Sequence, residues 1–275
     1  GDLGGYGEGD SLGVMQALVT AGLVDYVSLI TGSHFALADL MPTMTAPQGH
    51  LRDVAARFRT ALGVPIVMAG SVREPAEAAA IIETGCADVV ALARPWIADP
   101  KWLTKVQQND VSSITPCVSC NQACTFAQRG IGPATCVVNP RAGREFERPP
   151  RLRAVSTRTL TVVGGGPAGM EAARRAAVRG FRVTLHEAGE QLGGDMRRAG
   201  EAPRRAPILG AVEWWARMLD QLGVRVVCNS RIDAENGPNA DEVIWAVGSV
   251  PAQSAVWRRR PQLLDGIPGT QGYPH

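Results

Sequence analysis

A glycine-rich turn constrains the fold of this chain more than any other feature. In LTVVGGGPAGMEAAR, Gly164, Gly166 and Gly169 form G-x-G-x-x-G between an apolar strand and a helix. The first glycine allows the tight turn, the second lets the backbone approach a pyrophosphate, and the third lets helix and strand pack closely. Pro167 and Ala168 open the helix, whose free N–H groups face an anion. The pattern predicts a Rossmann-like dinucleotide-binding unit.

An acidic residue stands at the expected distance from this turn. The strand FRVTLHE ends in Glu187, 23 positions after Gly164 (187 − 164). In such folds a carboxylate at this place meets the adenosine ribose hydroxyls. A βαβ turn without a ligand is the alternative, and strand, turn, helix and acid together favour the ligand.

The first part of the chain alternates helical and strand patterns. Short apolar strands separated by amphipathic helices predict a parallel sheet covered by helices. Three such units fit either an open sheet or part of a (β/α)8 barrel, which needs roughly 250 residues when complete. The predicted helices cover 11–21, 51–62, 75–84, about 99 onward, 167–180 and 214–222, and the predicted strands cover 24–30, 64–70, 87–93, 158–163, 181–187, 224–228 and 242–248.

Four of the six cysteines lie in one Pro- and Arg-rich segment with little periodicity. Cys117, Cys120, Cys124 and Cys136 follow the spacing C-x2-C-x3-C-x11-C. Four thiolates can hold a structural zinc ion or a [4Fe–4S] cluster. Zinc sites usually show two close pairs, so the three-plus-one spacing favours the cluster. Four unliganded thiols are the least favoured interpretation.

Composition narrows the class of protein. The formal net charge of +2 provides no basic footprint for nucleic acid. No apolar run reaches the ~18 residues of a membrane span, and the Gly-rich, acidic first residues lead us to expect no signal peptide. The expected compartment is the reducing cytoplasm, where clustered cysteines serve as ligands rather than disulfides. The first residues lack a Met and have the composition of a loop, so we expect an internal fragment of a longer protein.

Several motifs together resemble one family. CVSCNQACTFAQRGIGPATCVVNPRAGRE is similar to the cluster segment of the 2,4-dienoyl-CoA reductase and trimethylamine dehydrogenase family, the iron–sulfur relatives of old yellow enzyme. VVGGGPAGMEAAR, EAGEQLGG and VIWAVGSVP resemble its adenine-dinucleotide domain. AGSVREPAEA and VALARPWIADP resemble the last two strands of its FMN barrel.

The resemblance implies three regions. They are the C-terminal portion of an FMN-binding TIM barrel at 1–107, a [4Fe–4S] segment at 108–150, and an incomplete Rossmann-like FAD- or ADP-binding domain at 151–275. The family's reductases hold FAD and its amine dehydrogenases hold ADP, and the glycine-rich turn does not separate the two.

The resemblance also implies site residues. FMN phosphate is expected at the loops after the last two barrel strands, at Gly70, Ser71, Ala93 and Arg94. The alternative for Arg94 is a salt bridge at the barrel rim. The four cysteines are expected to hold the cluster. The dinucleotide site is expected to include Gly164, Gly166, Pro167, Ala168, Gly169, Glu187, Gly193, Gly194 and Gly248.

The implied activity has two directions. In a reductase, electrons pass from NAD(P)H through FAD and the cluster to FMN, which reduces an activated C=C bond of a small molecule. In an amine dehydrogenase the flow reverses, and an electron-transfer protein accepts the electrons. His34 is a candidate pocket residue and catalytic acid, and Asp39 is a weaker one. An inactive truncated fragment is the third alternative. The sequence predicts neither the substrate nor the oligomeric state.

Overall fold

Two parallel sheets, each flanked by helices, make up the structure of the chain. The computed structural model describes residues 5–33, 35–125, 130–147, 158–233, 235 and 237–249. Within these ranges no helix is long and apolar enough to cross a membrane.

The first sheet has three parallel strands in the order β1-β2-β3. A crossover helix follows each of the first two strands. The elements of this part are α1 Glu8–Thr20, β1 Val27–Leu29, α2 Leu37–Leu40, α3 Arg52–Leu62, β2 Ile66–Met68, α4 Pro75–Glu83, β3 Val89–Val90, α5 Arg94–Ala98, α6 Trp102–Gln107 and a 3-10 turn at Val111–Ser113.

Helical periodicity explains how α3 packs on this sheet. Ala55, Phe58 and Leu62 lie three and four residues apart, so they share one face of the helix. All three are buried, together with Ile66 and Met68 of β2. Burying a large apolar side chain contributes roughly 1.5–3 kcal/mol. This contact therefore fixes the strand whose end carries the loop at Gly70.

The second sheet also has only parallel strands, in the order β6-β5-β4-β7. The strand before the glycine-rich turn is thus central, with a neighbour on each side. The elements are β4 Thr159–Val163, α7 Pro167–Val178, β5 Arg182–His186, α8 Gly194–Glu201, α9 Ala206–Gln221, β6 Arg225–Val227 and β7 Glu242–Trp245.

The cysteine segment packs against the core of the second sheet. Val118 and Val138 are buried in the same cluster as Met170 of α7 and Trp215 of α9. Ala98, at the end of α5, belongs to this cluster too. The segment is irregular in secondary structure, yet its position is fixed by this shared core. The region boundaries at 107 and 150 remain predictions.

The structure differs from the predicted helices in three places. The helix expected from about residue 99 begins at Trp102, and the unpredicted short helix α5 precedes it. Between them, Pro100 disfavours helical backbone at Asp99, whose carboxylate accepts the Lys101 N–H at 3.0 Å. Helix α9 begins at Ala206 rather than Trp214, with a proline in its first turn. Helix α8 was missed because its sequence, GDMRRAGE, contains two poor helix formers.

Candidate functional site

The four clustered cysteines surround one small cavity. Cys117, Cys120, Cys124 and Cys136 all line it. Arg94, the first residue of α5, lines the same cavity. All four thiols are half-buried and free of disulfides. The structure therefore brings together the cysteines whose spacing predicted a metal group.

Burial controls the protonation of two of these thiols. It raises the pKa of Cys124, and the negative charges of Cys120 and Cys117 raise it further, while Arg94 opposes them. Burial likewise raises the pKa of Cys136, although the N–H groups of Val138 and Asn139 oppose the shift. A metal group that binds here must displace these protons, since the thiolate is the ligand.

The cysteine geometry bears on which metal group fits. In the described ranges, no three histidine, cysteine or acidic side chains converge as the ligands of one ion would. Four sulfurs at the zinc distance of ~2.3 Å would lie about 3.8 Å apart. Thiolates of a cluster lie farther apart because each binds a different iron. The four thiols that line the cavity are donors that either metal group could use.

Arg94 joins the loops of the first sheet to the cysteine segment. Its Nη1 donates to the Pro42 carbonyl at 2.7 Å and to Asn121 Oδ1 at 2.8 Å. Its Nη2 donates to Ser71 Oγ at 3.2 Å. Within the described residues Arg94 has no carboxylate partner, so the alternative of a rim salt bridge has no support there. Its positive charge remains available for an anion.

The flavin-loop residues predicted from the resemblance lie at the ends of two adjacent strands. Gly70 and Ser71 follow β2, and Ala93 and Arg94 follow β3, which pairs with β2. A Cβ at Gly70 would lie 3.3 Å from the Leu51 side chain, so the backbone packs tightly there. Ser71 adopts a positive φ of 57°. The strand order thus brings these four residues to one edge of the sheet.

The catalytic candidates predicted from the sequence do not form a site in the described part of the chain. His34 lies outside the described residues, and Asp39 is an exposed residue of α2. His50 lies between α2 and α3. Both of its ring nitrogens are buried without a partner among the described residues. Neither periodicity nor a motif marks His50 in the sequence.

The glycine-rich turn has the geometry that its pattern predicts. Gly164 has φ 108°, and a Cβ there would lie 2.3 Å from the Ala246 carbonyl oxygen. A Cβ at Gly169 would lie 1.8 Å from the Gly164 carbonyl oxygen. Gly166, at the start of α7, has no atom within 4 Å of its Cβ position. Two glycines thus serve packing, and the third leaves open space beside the free N–H groups of the first turn.

The remaining residues predicted for the dinucleotide site surround this turn. Glu187 accepts the Gly165 N–H at 2.6 Å and the Gly189 N–H at 2.7 Å. Gly193 N–H donates to the Gly165 carbonyl at 2.8 Å, and a Cβ at Gly194 would lie 3.4 Å from Gly166 Cα. Gly248, with φ 75°, follows β7, the neighbour of β4. Pro167 and Ala168 are the first two residues of α7.

Two residues with structural roles at the site were missed from the sequence. Asn121 bonds Arg94 as described, and its Nδ2 donates to the Met41 carbonyl at 2.5 Å. Asp99 is buried and accepts Lys105 Nζ at 2.6 Å and the Thr115 N–H at 2.8 Å, two positions before Cys117. The only signal for Asn121 was a polar residue inside the motif CNQAC.

A larger cleft lies on the other side of Cys117. It has a volume of about 880 Å³ and separates the loops at Met44–Pro47 and Arg73–Pro75 from helix α9. Burial lowers the pKa of Arg73, whose Nη1 is buried without a partner among the described residues. Cys117 thus lies between two cavities.

Family models match both halves of the chain. The model of the NADH:flavin oxidoreductase / NADH oxidase family matches residues 14–112. The NAD(P)-binding Rossmann-like domain matches residues 162–222. The first sheet is therefore part of a TIM barrel rather than an open sheet, and the predicted fold class is confirmed.

Curated and solved relatives cover most of the chain. N,N-dimethylglycine/sarcosine dehydrogenase of Chromohalobacter salexigens is 35% identical over 245 residues, covering 86% of this chain and 35% of the relative. Cinnamate reductase of Clostridium sporogenes is 34% identical over 238 residues, covering 86% and 36%. The structure of 2-naphthoyl-CoA reductase with 2-naphthoyl-CoA has a TM-score of 0.85 at 28% identity, covering 92% and 39%.

The chain spans about a third of the length of the curated relatives it matches. Both relatives and the solved structure are oxidoreductases by name. The matches extend across the barrel part, the cysteine segment and the Rossmann-like part. The chain therefore belongs to the NADH:flavin oxidoreductase / NADH oxidase family, in the branch of 2,4-dienoyl-CoA reductase and trimethylamine dehydrogenase that its motifs resemble.

Proposed function

We propose that the protein is an NAD(P)H-dependent oxidoreductase that holds FMN, FAD and a [4Fe–4S] cluster and reduces an activated C=C bond. The observation that carries this proposal is the position of Arg94. Its guanidinium lines the cavity of the four cysteines and bonds Ser71 in the loop where FMN phosphate is expected. A flavin phosphate and a metal cluster would thus be neighbours.

The barrel loops would hold the phosphate of FMN. Arg94 is the charged donor, with two N–H groups left over, and Gly70, Ser71 and Ala93 offer backbone or hydroxyl donors beside it. The absence of a carboxylate partner for Arg94 in the described residues supports this assignment. The four cysteines that line the small cavity, Cys117, Cys120, Cys124 and Cys136, are called the cysteine cage below. The reducing cytoplasm is the compartment that fits this cage, because it keeps thiols available as ligands.

The Rossmann-like part would hold the adenine dinucleotide. Open space at Gly166 admits the pyrophosphate, and the first turn of α7 supplies N–H donors. Glu187 directly follows β5 beside this turn. Its carboxylate, which now accepts a glycine N–H, could accept a ribose hydroxyl in its place. When bound, the flavins and the cluster supply the electron transfer, and the chain's own residues bind and orient them.

The class of substrate follows from relatives rather than from a described catalytic residue. Cinnamate reductase is named for an unsaturated acid, and 2-naphthoyl-CoA reductase is named for an unsaturated thioester. Both names support reduction of an activated C=C bond. N,N-dimethylglycine/sarcosine dehydrogenase, at 35% identity, favours a second candidate, an N-demethylating amine dehydrogenase that delivers electrons to a carrier protein.

Cofactor content tests the proposal directly. We would purify the protein as its own gene encodes it, then measure flavins after denaturing extraction and metals by elemental analysis. FMN, FAD and about four irons per chain are expected. FMN with ADP and no FAD would favour the amine dehydrogenase. Zinc without iron, or no flavin, would refute the proposal.

Serine variants assign the metal to the cysteines. Replacing Cys117, Cys120, Cys124 or Cys136 by serine should lower iron content by at least half, because a cluster needs four thiolates. Cys228→Ser is the matched control, since Cys228 is also half-buried but lies in the Rossmann-like part. Equal iron loss in Cys228→Ser, or none in the other four variants, would contradict the assignment.

Oxidation assays separate the two candidate reactions. With a reductase, NADH or NADPH should be consumed when cinnamate or an enoyl-CoA thioester is added. With an amine dehydrogenase, dimethylglycine should reduce the bound flavin without a nicotinamide. The near-ultraviolet absorbance of the reduced nicotinamide follows the first reaction, and the flavin absorbance near its visible maximum follows the second on the same sample.

A further inference from the structure

We infer that Asn121 is a positioning residue that couples FMN binding to metal loading of the cysteine cage. This inference rests on the proposed function, since it takes the flavin and the cluster as the two ligands. The Asn121 carboxamide bonds two partners at once. Its Oδ1 accepts from Arg94 Nη1 at 2.8 Å, and its Nδ2 donates to the Met41 carbonyl at 2.5 Å.

The first step of the argument concerns Arg94. Both hydrogens of Nη1 are used, on Pro42 and Asn121, and one hydrogen of Nη2 is used on Ser71. The described residues leave Nε and the second Nη2 hydrogen without a partner. Nε and Nη2 lie on the side of the guanidinium that can bind a phosphate through two parallel bonds, and Nη2 also bonds Ser71. Asn121 thus fixes the opposite side of the same group.

The second step concerns the backbone of the cysteine segment. Ser119 and Asn121 have φ values of 48° and 53°, in the left-handed region that non-glycine residues rarely adopt. Asn121 directly follows Cys120, and Cys124 comes three residues later. The Thr125 hydroxyl donates to the Asn121 carbonyl at 2.7 Å. Metal ligation through the cysteines on both sides would hold Asn121 in this conformation.

The third step concerns the loop that follows β1. The Met44 N–H donates to the Ser119 carbonyl at 3.0 Å. Together with the bonds to Met41 and Pro42, this contact seats the loop on the cysteine segment. When the segment loses its metal, the loop, Asn121 and Arg94 would lose a common support. FMN phosphate would then meet a less ordered arginine.

Thermodynamic linkage makes the effect measurable from both sides. If metal loading raises the affinity for FMN by a factor, FMN raises the affinity for the metal by the same factor. Typical coupling factors are about 5–150. We expect a factor of at least about five, because one charged group and one loop respond together. Riboflavin lacks the phosphate, so its affinity should not change with iron.

The experiment compares Asn121→Gly with Asn109→Gly. Glycine tolerates a positive φ, so Asn121→Gly removes the carboxamide without straining the backbone. Asn109 is exposed and also has a positive φ, 57°, which makes Asn109→Gly the matched control. Each protein, as its gene encodes it, is titrated with FMN and with riboflavin by flavin fluorescence, before and after iron removal with a chelator.

In the wild type and in Asn109→Gly, iron removal should weaken FMN binding about five-fold or more and leave riboflavin binding within about two-fold. In Asn121→Gly, the iron-loaded protein should bind FMN about as weakly as the stripped wild type, and stripping should change little. Iron retained at equilibrium with the chelator should rise with added FMN in the wild type but not in Asn121→Gly.

Equal FMN affinity in loaded and stripped wild type would overturn the coupling. Undiminished coupling in Asn121→Gly would overturn the role of Asn121. In both cases FMN and iron are present, so the proposed function survives. Absence of FMN or iron from the wild type would overturn both, and the two failures are therefore distinguishable. A loss of riboflavin binding on stripping would show general unfolding of the barrel and would refute a phosphate-specific coupling.

Discussion

Three glycine-to-alanine changes in the Rossmann-like part should separate packing from ligand binding. Gly169 and Gly210 both lie inside helices, α7 and α9, and Gly166 lies just before α7. Alanine in a helix interior is worth roughly 0.5–1 kcal/mol over glycine. If helix propensity alone decided the outcome, alanine would therefore stabilise the protein at both Gly169 and Gly210.

The structure predicts opposite outcomes for the two helical glycines. A Cβ at Gly169 would lie 1.8 Å from the Gly164 carbonyl oxygen, and real contacts essentially never fall below 3.0 Å, so helix and strand must separate by about 1.2 Å (3.0 − 1.8). Overpacking against backbone costs up to about 3 kcal/mol, which leaves a net loss of ~2 kcal/mol after the helix gain. Gly210 has no atom within 4 Å of its Cβ position, so Gly210→Ala should gain about 0.5–1 kcal/mol.

Gly166→Ala should affect binding more than stability. No protein atom lies within 4 Å of its Cβ position, so the change should cost only about 0.5 kcal/mol at the start of the helix. The added methyl group would occupy the space proposed for the pyrophosphate. We expect the affinity for FAD or ADP to fall at least about ten-fold, which equals ~1.4 kcal/mol.

Urea denaturation and calorimetric titration measure the two effects. With an m-value of ~2 kcal/mol/M, Gly169→Ala should lower the midpoint by about 1 M, and Gly210→Ala should raise it slightly. If Gly169→Ala were as stable as the wild type, the packing argument for the third glycine would be refuted. If Gly166→Ala bound the dinucleotide at wild-type affinity, the open space would not be the ligand site.

Two carboxylates of the barrel part give further predictions. Asp99→Asn removes the charge that pairs with Lys105 in a mostly buried site, and urea denaturation should show a loss of about 3 kcal/mol, whereas an unchanged midpoint would contradict the pairing. The Ile66 N–H and Arg59 lower the pKa of Asp88, so its stabilisation is present above the unfolded-state pKa near 3.8 and is lost as pH falls through the lower folded value. Below pH 3.8 the wild type should lose stability more steeply than Asp88→Asn, and parallel curves would contradict this.

The regular elements could be predicted because their periodicity is local. Helix α3 places buried residues at helical spacing, and the strands of both sheets are short apolar runs between turn residues. The glycine-rich turn was also predictable, because each glycine answers a backbone requirement within a few positions. Boundaries were less certain. Pro100 disfavours helical backbone at Asp99 and so marks the end of α5 in the sequence, but the bond from the Lys101 N–H to the Asp99 side chain leaves no such signal.

The connections between the two proposed cofactor sites could not be predicted in the same way. The bond between Arg94 and Asn121 joins residues 27 positions apart in sequence. Met41, whose carbonyl accepts from Asn121 Nδ2, lies 80 positions before Asn121. No periodicity links such positions, because only the packing of the loop after β1 on the cysteine segment brings them together. A polar residue within a cysteine motif was the one available signal, and it did not indicate a partner.

The irregular cysteine segment keeps its shape because hydrogen bonds hold it at both ends. Before the first cysteine, Asp99 accepts the Thr115 N–H at 2.8 Å, and after the last one, Asn139 Nδ2 donates to the Ile97 carbonyl at 2.9 Å. Both anchors belong to the short stretch around the end of α5, which starts at Arg94. Helix α5 and the residue after it therefore carry the arginine proposed for the flavin phosphate and fix both ends of the cysteine segment. A bound metal would need to order only the loop between them, where Asn121 lies.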